Sequence, residues 1–389
     1  MKIIRTSTIS ISLNVLLKGQ LKFLNGFFDV VGISSGDELL DEVRQREGIK
    51  TISINIERGI SPAKDLVSLF RLYHILKSEK PTIVHSITPK AGLLTMLAGK
   101  MAGVPIRLHT FTGLIFPTKK GFMQKVLISM DRLLCSAATN IYPEGQGVKK
   151  DLIKYKITSK PLKVIANGNV NGIDLDYFSP DKISGEQKND LKIELNISQS
   201  DFVFVFVGRL VGDKGINELV EAFSQISKNA YLSKPVKLLL IGPLEEHLDP
   251  LQPETLEEIK SNPDILDLGF QKDVRPYFAI SDALVFPSYR EGFPNVVMQA
   301  GAMGLPSIVS DINGCNEIIV EKQNGMIIPV KNNQKLKNAM ETLLSDVDLY
   351  HQLKVNSRPM IESRYEQSVI WNELLHEYKK LLKEKNIDV

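Results

Sequence analysis

The segment from Ala283 to Ala300 reads ALVFPSYREGFPNVVMQA, and its pattern decides the fold class. Ala283–Phe286 is an apolar run short enough for a buried parallel strand, and the sequence predicts a helix from Val296 to Met303. A Gly/Pro turn that carries Glu291 joins the two. Free backbone N–H groups at a helix start attract anions. The segment therefore predicts an α/β sheet with an anionic ligand at the turn, and a sugar diphosphate fits there.

Short apolar runs alternate with helical patterns along the rest of the chain, which is typical of doubly wound parallel sheets. A long stretch from Gln334 to Lys385 is predicted to be helical. In the first part the predicted strands are Lys2–Thr6, Phe28–Ile33, Thr51–Ile54, Thr82–His85, Ile106–Thr110, Asn140–Tyr142 and Leu162–Ile165. In the second part they are Phe202–Val207, Val236–Ile241, Ile265–Leu268, Ala283–Phe286, Ser307–Val309 and Met326–Ile328.

The chain has 389 residues, a length suited to two domains. Turn-forming residues concentrate between Asn167 and Ser200, so a linker is expected there. We predict one Rossmann-like domain over residues 1–180 and a second over residues 181–368. The last segment, residues 369–389, is expected to be a helix that packs outside the sheet or crosses back to the first domain.

Two cysteines without metal-ligand spacing argue against a disulfide framework or a zinc site. The sequence shows no signal peptide and no apolar run long enough to span a membrane, so a cytoplasmic protein is expected. The net charge of +3 hides an asymmetry. Residues 1–180 hold 25 Lys/Arg and 14 Asp/Glu, which leaves 23 and 31 for the remainder. The basic part could meet an anionic surface, nucleic acid or its own acidic partner domain.

The loop after the predicted strand Phe202–Val207 suits a diphosphate. Gly208 allows close approach of the backbone, Arg209 offers a planar fork, and Lys214 offers a point charge. The alternative is a solvated turn with surface charges. Gly242 and Phe270 follow two further strands in the same way, and ligands of such sheets bind beyond the carboxyl ends of the strands. No G-x-G-x-x-G or Walker sequence occurs.

Motifs in both halves resemble those of the retaining glycosyltransferases of family four, in the branch that builds bacterial surface polysaccharides, and the resemblance covers nearly the whole chain. The motifs are Val84–Gly92, Arg107–Gly113 and Val164–Asp174 in the first half, and Gly208-Arg209 with Lys214-Gly215, Glu291–Pro294, Gly304–Pro306 and Asn313-Gly314 with Glu317 in the second. The resemblance implies the GT-B architecture, with two Rossmann-like doubly wound parallel-sheet domains facing an interdomain cleft. It also implies retention of the sugar configuration.

The resemblance further assigns site residues. It implies that His109, Arg209, Lys214 and Glu291 are catalytic, with the two basic residues neutralising the departing diphosphate and Glu291 holding sugar hydroxyls. His109 is expected to end its strand at the cleft edge, although a lone histidine is more often structural. The predicted donor-binding residues are Gly208, Gly242, Phe270, Val274, Gly292, Phe293, Pro294, Asn295 and Gln299. The predicted acceptor or phosphate contacts are Ser12, Lys90 and Thr112, and a solvated surface position is the alternative for Lys90.

One position departs from the family pattern. The family commonly carries a second glutamate eight residues after the first, where it holds the nucleotide ribose, and this chain has Gln299 there. An amide oxygen still accepts a hydrogen bond from a ribose hydroxyl but without charge assistance. Altered nucleotide binding is expected, and a plain helix-surface residue is the alternative.

Asp174-Leu175-Asp176 resembles the metal-binding Asp-x-Asp of the other glycosyltransferase fold. Its position in the predicted linker argues against a metal site. No metal and no cofactor are therefore expected, apart from the nucleotide-sugar co-substrate.

An amphipathic helical pattern from Phe122 to Leu134 carries Lys119, Lys120, Lys125 and Arg132 beside it. Such a surface can hold a protein on anionic lipid, and a core helix with a hydrated basic face is the equal alternative. Nucleic acid is not expected, because no recognition motif accompanies the charge.

We therefore predict a peripheral enzyme of the inner face of the cytoplasmic membrane. It would move a sugar from a nucleotide diphosphate, which we expect to be uridine-based, to a polyprenyl-diphosphate-linked saccharide. Two alternatives are a nucleotide-sugar epimerase of the same architecture and a non-catalytic nucleotide-sugar-binding homologue, which Gln299 makes conceivable.

Overall fold

A computed structural model describes residues 1–57, 59, 61–229, 234–245, 247 and 249–387, and divides the chain into two compact units. The first unit comprises Met1–Gly172 and Gln367–Val389, and the second comprises Ile173–Glu366. The sequence predicts the two domain boundaries after residues 180 and 368.

The first unit is built on a six-stranded parallel sheet with the strand order β3-β2-β1-β4-β5-β6. Its strands are β1 (Lys2–Thr6), β2 (Asp29–Ser34), β3 (Lys50–Ser53), β4 (Ile83–Ser86), β5 (Ile106–Phe111) and β6 (Asn140–Pro143). Its helices are α1 (Ser10–Leu16), α2 (Gln20–Asn25), α3 (Glu38–Glu47), α4 (Pro62–Glu79), α5 (Pro89–Ala102), α6 (Gly121–Ala137) and α7 (Gln146–Lys154), with a 3₁₀ turn at Phe116–Thr118.

The second unit repeats this architecture with the strand order β12-β11-β10-β7-β8-β9. Its strands are β7 (Phe202–Val207), β8 (Val236–Ile241), β9 (Ile265–Asp267), β10 (Ala283–Phe286), β11 (Ser307–Ser310) and β12 (Gly325–Ile328). Its helices are α8 (Gly185–Glu194), α9 (Ile216–Ser227), α10 (Pro253–Ser261), α11 (Arg275–Ile280), α12 (Asn295–Ala302), α13 (Cys315–Ile318), α14 (Asn333–Ser345) and α15 (Val347–Tyr365), with 3₁₀ turns at Pro180–Lys182 and Gly212–Lys214.

The strand predictions follow from burial on both faces. The run FVFVFV of β7 is apolar at every position, and five of its six residues are buried. A central strand of a parallel sheet is covered by helices on both sides, so it carries no polar face. The predicted parallel α/β sheets are confirmed in both units.

One predicted strand is wrong. Leu162–Ile165 does not extend the first sheet, because only Leu162 makes an isolated bridge, to Ile141. Pro161 has no N–H to donate, and the backbone turns at Ala166 with φ of 47°. Pairing beside β6 therefore stops after one residue.

The last helix, α16 (Gln367–Glu384), belongs to the first unit. The Tyr378 hydroxyl lies 2.6 Å from Nδ1 of His85 and accepts a hydrogen bond from the buried Arg5 guanidinium at 3.1 Å. The Tyr142 hydroxyl donates to the Glu377 carboxylate at 3.0 Å. These buried polar contacts hold α16 against β1, β4 and β6.

Candidate functional site

The strand order of the second unit reverses between β7 and β10, which pair directly through Phe204 with Ala283 and Val205 with Leu284. The connections from these two strands leave in opposite directions and open a crevice beyond their carboxyl ends. Doubly wound sheets bind ligands at such a point. The two loops that the sequence singled out, after Val207 and after Phe286, both begin here.

An ion pair joins these two loops. Nζ of Lys214, which ends the 3₁₀ turn after β7, contacts Oε1 of Glu291, which follows β10. The two side chains are 16% and 17% exposed, so solvent screens the pair only partly. Ser288 donates a hydrogen bond from Oγ to the same carboxylate oxygen at 2.9 Å. An ammonium and a carboxylate are thus held at the reversal of strand order.

Arg209 has a carboxylate partner as well. Its Nη1 lies 2.9 Å from Oε2 of Glu245, in the segment after β8, and both side chains are partly exposed. The sequence analysis missed Glu245. Glu245 lies shortly after β8, which ends at Ile241, and no local sequence pattern marks it. Arg209 and Lys214, which are predicted to bind the diphosphate, therefore each form an ion pair with a carboxylate that an anionic ligand can replace.

Further contacts fix the two loops to each other. The backbone N–H of Tyr289 donates to the Asp213 carbonyl at 2.9 Å, and the Arg290 guanidinium donates to the Asp213 carboxylate at 2.8 and 3.1 Å. The Tyr289 hydroxyl donates to the Glu218 carboxylate. Burial and this neighbouring carboxylate raise the pKa of Tyr289 well above its ordinary value. These hydrogen bonds hold the two loops in place around Lys214 and Glu291 before any ligand binds.

Two glycines allow neighbouring loops to approach the turn that carries Glu291. Gly215 has φ of +72°, and a Cβ there would lie 2.2 Å from the Pro287 carbonyl oxygen. Gly314, in the loop after β11, has φ of +75°, and its Cβ would lie 2.5 Å from the Gly292 carbonyl oxygen. Any larger side chain at either position would displace the turn that carries Glu291.

That turn leads into α12. Phe293 and Pro294 are buried, Gly292 is half-buried, and α12 begins at Asn295 with no side chain capping it. Gln299 lies one turn further along α12 and is half-buried. Within the described part of the chain, its amide group makes no hydrogen bond. The amide therefore remains available to a ligand.

The other predicted donor-binding residues follow β7, β8 and β9. The backbone N–H of Gly208 bonds the Ile241 carbonyl at 2.9 Å, and that of Gly242 bonds the Gly269 carbonyl at 2.8 Å. Phe270 is 74% exposed just after β9, and Val274 is half-buried at the start of α11. The predicted donor set thus lies along the carboxyl ends of β7 to β10.

In the first unit, Ser12 and Lys90 line one cavity of about 260 Å³. Nζ of Lys90 lies 2.6 Å from an oxygen of Asp65 and also donates to the Gly59 carbonyl. Thr112 follows β5 and donates from its hydroxyl to the Ile87 carbonyl at 2.8 Å. The structure brings Ser12 and Lys90 together and places Thr112 outside the lining of this cavity.

His109 does not lie where the sequence predicted. Strand β5 continues to Phe111, so His109 is inside the strand, and its side chain is fully buried. Its Nδ1 lies 2.8 Å from the Ser86 hydroxyl, and a Cβ on Gly92 of α5 would lie 2.4 Å from the ring. Burial lowers the pKa of His109 to about 3. The imidazole is a neutral core group beneath α5.

Asp174 also has a structural role. Its carboxylate accepts a hydrogen bond from the Tyr177 backbone N–H at 2.9 Å and so caps a turn. Within the residues that the structure describes, no group of three or more His, Cys, Asp or Glu side chains is arranged to hold a metal ion. In the same ranges, no helix is both long enough and apolar enough to cross a membrane.

Two family descriptions match the chain. Residues 187–360 match the family described as glycosyl transferases group 1, and residues 14–144 match the family described as glycosyl transferase 4-like. The first lies within the second unit and contains Arg209, Lys214 and Glu291.

Two relatives agree with these matches. The chain is 32% identical to the capsular polysaccharide biosynthesis glycosyltransferase CapM of Staphylococcus aureus, over 98% of each chain. It is 30% identical to an Escherichia coli enzyme, the UDP-Gal:alpha-D-GlcNAc-diphosphoundecaprenol alpha-1,3-galactosyltransferase, over 74% of this chain and 73% of that protein.

The solved structure of HepE from Anabaena in complex with UDP and glucose superposes with a TM-score of 0.80 at 18% identity, covering 98% of this chain and 100% of that one. At this identity the likeness shows the fold, which is the GT-B arrangement of two Rossmann-like units. The chain belongs to the glycosyltransferases that combine a glycosyl transferase 4-like domain with a group 1 domain.

Proposed function

We propose that this glycosyltransferase moves a sugar from a UDP-sugar to a lipid-linked saccharide, with retention of configuration, in the synthesis of a bacterial surface polysaccharide. The observation that carries the proposal is the contact between Lys214 and Glu291 at the carboxyl ends of β7 and β10. A cation that could neutralise a diphosphate and a carboxylate that could accept hydrogen bonds from sugar hydroxyls lie side by side, and ligands of this fold bind at such a position.

The chemistry needs charge stabilisation at the leaving group. The bond between the anomeric carbon and the phosphate oxygen breaks, and its electron pair stays on the nucleoside diphosphate. The acceptor hydroxyl oxygen bonds to the same carbon from the leaving-group face, and its proton passes to a diphosphate oxygen. Lys214 and Arg209 would neutralise the negative charge as it develops, which is where preorganised cations accelerate a reaction most.

Both cations would exchange partners on binding. In the free protein Glu245 holds Arg209 and Glu291 holds Lys214. A diphosphate replaces these carboxylates with a doubly charged oxyanion and frees Glu291 to accept hydrogen bonds from sugar hydroxyls. Three of the four predicted catalytic residues carry this proposal, and His109 is left as a core residue.

The relatives support the donor and the acceptor. The E. coli relative is named for transfer from UDP-Gal to a GlcNAc-diphosphoundecaprenol, and the S. aureus relative for capsular polysaccharide biosynthesis. The HepE structure holds UDP and glucose. Gln299 and the exposed Phe270 would bind the nucleoside, by a hydrogen bond to ribose and by stacking on the base.

We propose that no metal is required, since Arg209 and Lys214 supply the positive charge at the diphosphate. Transfer should then continue at an unchanged rate in excess EDTA. A rate that falls with EDTA and returns with Mg²⁺ or Mn²⁺ would show that a metal supplies part of the charge.

We propose that the acceptor is met at an anionic membrane surface on the cytoplasmic side, through α6. Phe122 is 81% exposed, Met123 and Leu133 are about half exposed, and Lys119, Lys120 and Lys125 are exposed beside them. Phe122 and Leu133 also line an open apolar groove on this helix. Apolar side chains insert between lipids, and each lysine near an anionic surface adds about 1 kcal/mol.

Liposome flotation tests this surface. The triple charge reversal of Lys119, Lys120 and Lys125 to Glu should abolish binding to phosphatidylglycerol-rich vesicles, whereas reversal of the exposed Lys182, Lys322 and Lys335 in the second unit should not. Binding of the natural protein should weaken as salt rises. Equal binding by both triple variants would remove the α6 surface from the account.

Product analysis tests the transferase proposal. The protein is incubated with UDP-glucose, UDP-galactose and their N-acetylamino analogues, with and without polyprenyl-diphosphate N-acetylglucosamine. Release of UDP that depends on the acceptor, together with a larger glycolipid, is expected. An epimerised donor without acceptor would indicate an epimerase, and binding without any product would indicate a non-catalytic nucleotide-sugar-binding protein.

A further inference from the structure

The first unit has its own reversal of strand order, between β1 and β4. The loops that follow these strands are joined by Thr8 and Thr88, whose hydroxyl oxygens lie 2.8 Å apart, and the Thr8 N–H donates to the same Thr88 oxygen at 2.8 Å. The cavity of about 260 Å³ that Ser12 and Lys90 line lies at this point. Ligand pockets usually measure about 300–1,000 Å³, so this one suits a single ring and not a long chain.

The cavity has an apolar wall and an acidic group. Leu93, Ile115, Leu127 and Met130 supply the wall, and Asp131 of α6 lines the same space. Asp131 makes no hydrogen bond and no ion pair among the described residues. Burial raises the pKa of Asp131 to about 7. The Asp131 side chain is half-buried at the cavity lining and lacks a partner within the described protein.

The other ionisable side chains near the cavity are paired, neutral or exposed. Lys90 is held by Asp65 and the Gly59 carbonyl. Cys135, one turn further along α6, is buried, and its pKa is raised to about 12 by burial and by Asp131, so its thiol is neutral. Lys125 and Arg132 of α6 are exposed. The unpaired Asp131 carboxylate at the cavity repels phosphate and accepts hydrogen bonds from hydroxyl groups.

We propose that this cavity binds the terminal sugar ring of the acceptor and that the Asp131 carboxylate accepts hydrogen bonds from its hydroxyl groups, so that Asp131 selects the acceptor. The apolar wall packs on the C–H face of the ring, and Ser12 adds a hydroxyl at its edge. The inference rests on the proposed transferase function, for which it names the residue that recognises the second substrate.

Direct binding of sugars tests the inference without catalysis. Methyl glycosides of glucose, galactose, N-acetylglucosamine and glucosamine are titrated by ligand-observed NMR into the full-length protein at pH 8. The variants are Asp131→Asn, which keeps the shape of the side chain, and Ile115→Trp, which fills the cavity from its exposed rim. Asp41→Asn is the control, because Asp41 is an exposed carboxylate paired with Arg44 at 3.0 Å.

At least one neutral glycoside should bind the natural protein and the Asp41→Asn variant, and its affinity should fall about fivefold in Asp131→Asn, since the amide oxygen still accepts a hydrogen bond but without charge assistance. Binding should disappear in Ile115→Trp. The affinity of the natural protein should decline as the pH falls below 7, and that of Asp131→Asn should not. Absence of binding, equal affinity in Asp131→Asn, or binding of the amino sugar alone would overturn the inference.

UDP binding separates this outcome from the proposed function, because all four proteins should bind UDP equally. Sugar binding that depends on Asp131, in a protein that never transfers, would sustain the cavity assignment and defeat the transferase proposal. Conversely, if the protein transfers sugar and Asp131→Asn leaves the acceptor KM unchanged, the transferase proposal would hold and the cavity assignment would be wrong. If both hold, Asp131→Asn should raise the acceptor KM and leave the donor KM unchanged.

Discussion

The ammonium of Lys214 contacts the carboxylate of Glu291 across the two adjacent strands, β7 and β10, at which the strand order of the second unit reverses. The two residues lie 77 positions apart in the sequence. The pair leaves each charge partly desolvated and therefore ready to exchange its partner for a more highly charged ligand.

Gln299→Glu should tighten binding of UDP. A carboxylate makes a stronger hydrogen bond to a ribose hydroxyl than an amide does, by about 1 kcal/mol, which corresponds to about a fivefold lower Kd. Gln299→Ala should weaken binding by a similar factor. Isothermal titration with UDP measures both. If both variants bind UDP as the natural protein does, Gln299 is a plain helix-surface residue.

Gly215→Ala should destabilise the second unit and weaken UDP binding. The new Cβ would meet the Pro287 carbonyl, so the loop after β7 must move in addition to adopting an unfavourable backbone conformation. Gly304→Ala is the matched control, since Gly304 has φ of +82° and no atom within 4 Å of its Cβ position. Thermal unfolding should show a clearly larger loss for Gly215→Ala. Equal losses would mean that the close approach contributes nothing.

Tyr378→Phe should destabilise the first unit by about 1–3 kcal/mol. Removing the hydroxyl leaves the buried Arg5 and His85 each without one hydrogen-bond partner. The only tryptophan, Trp371, lies in α16 and donates to Asn171, so its fluorescence during urea unfolding reports on this unit. Unchanged unfolding would show that α16 is held by its apolar contacts alone.

The stability of the first unit should depend on the buried histidines. Burial lowers the pKa of His109 to about 3, and burial together with Arg5 lowers that of His85 well below its ordinary value. Because the unfolded chain takes up these protons below about pH 6.5, stability should be complete above that pH and fall as the pH drops towards 3. Asp131, with its raised pKa, acts in the opposite direction between pH 3.8 and about 7.

A variant isolates the contribution of His109. Between about pH 5 and about pH 6, His109→Gln should reduce the slope of unfolding free energy against pH by about 1.2 kcal/mol per pH unit, because the other groups contribute equally to both proteins. Urea unfolding followed by Trp371 fluorescence measures the two slopes. Identical slopes would contradict the burial of a neutral imidazole at this position.

Much of the architecture was predictable because each central strand is a short apolar run. The strand β7 is buried on both faces, so its apolar run alone is enough to predict a strand there. Lys214 and Glu291 were predictable for a related reason, since residues just beyond the carboxyl ends of neighbouring parallel strands meet at one edge.

Side-chain environments were not predictable in the same way. His109 is buried because Gly92, 17 residues earlier on α5, leaves room for the imidazole ring. Glu245 pairs with Arg209 because β8 lies beside β7, and no local pattern marks that contact. Asp131 looks like a polar residue on an amphipathic helix until the packing of α6 places it at a cavity.

We propose that the Lys214 ammonium, where the strand order reverses between β7 and β10, stabilises a departing nucleoside diphosphate. The most direct test of this proposal is the rate of acceptor-dependent UDP release by Lys214→Met, compared with Lys237→Met. Lys237 is also 16% exposed and pairs with Asp264 at 2.7 Å, but it lies at the start of β8. We expect kcat to fall about 10²–10³-fold in Lys214→Met and to stay near the natural value in Lys237→Met. Equal rates in the two variants would contradict the account.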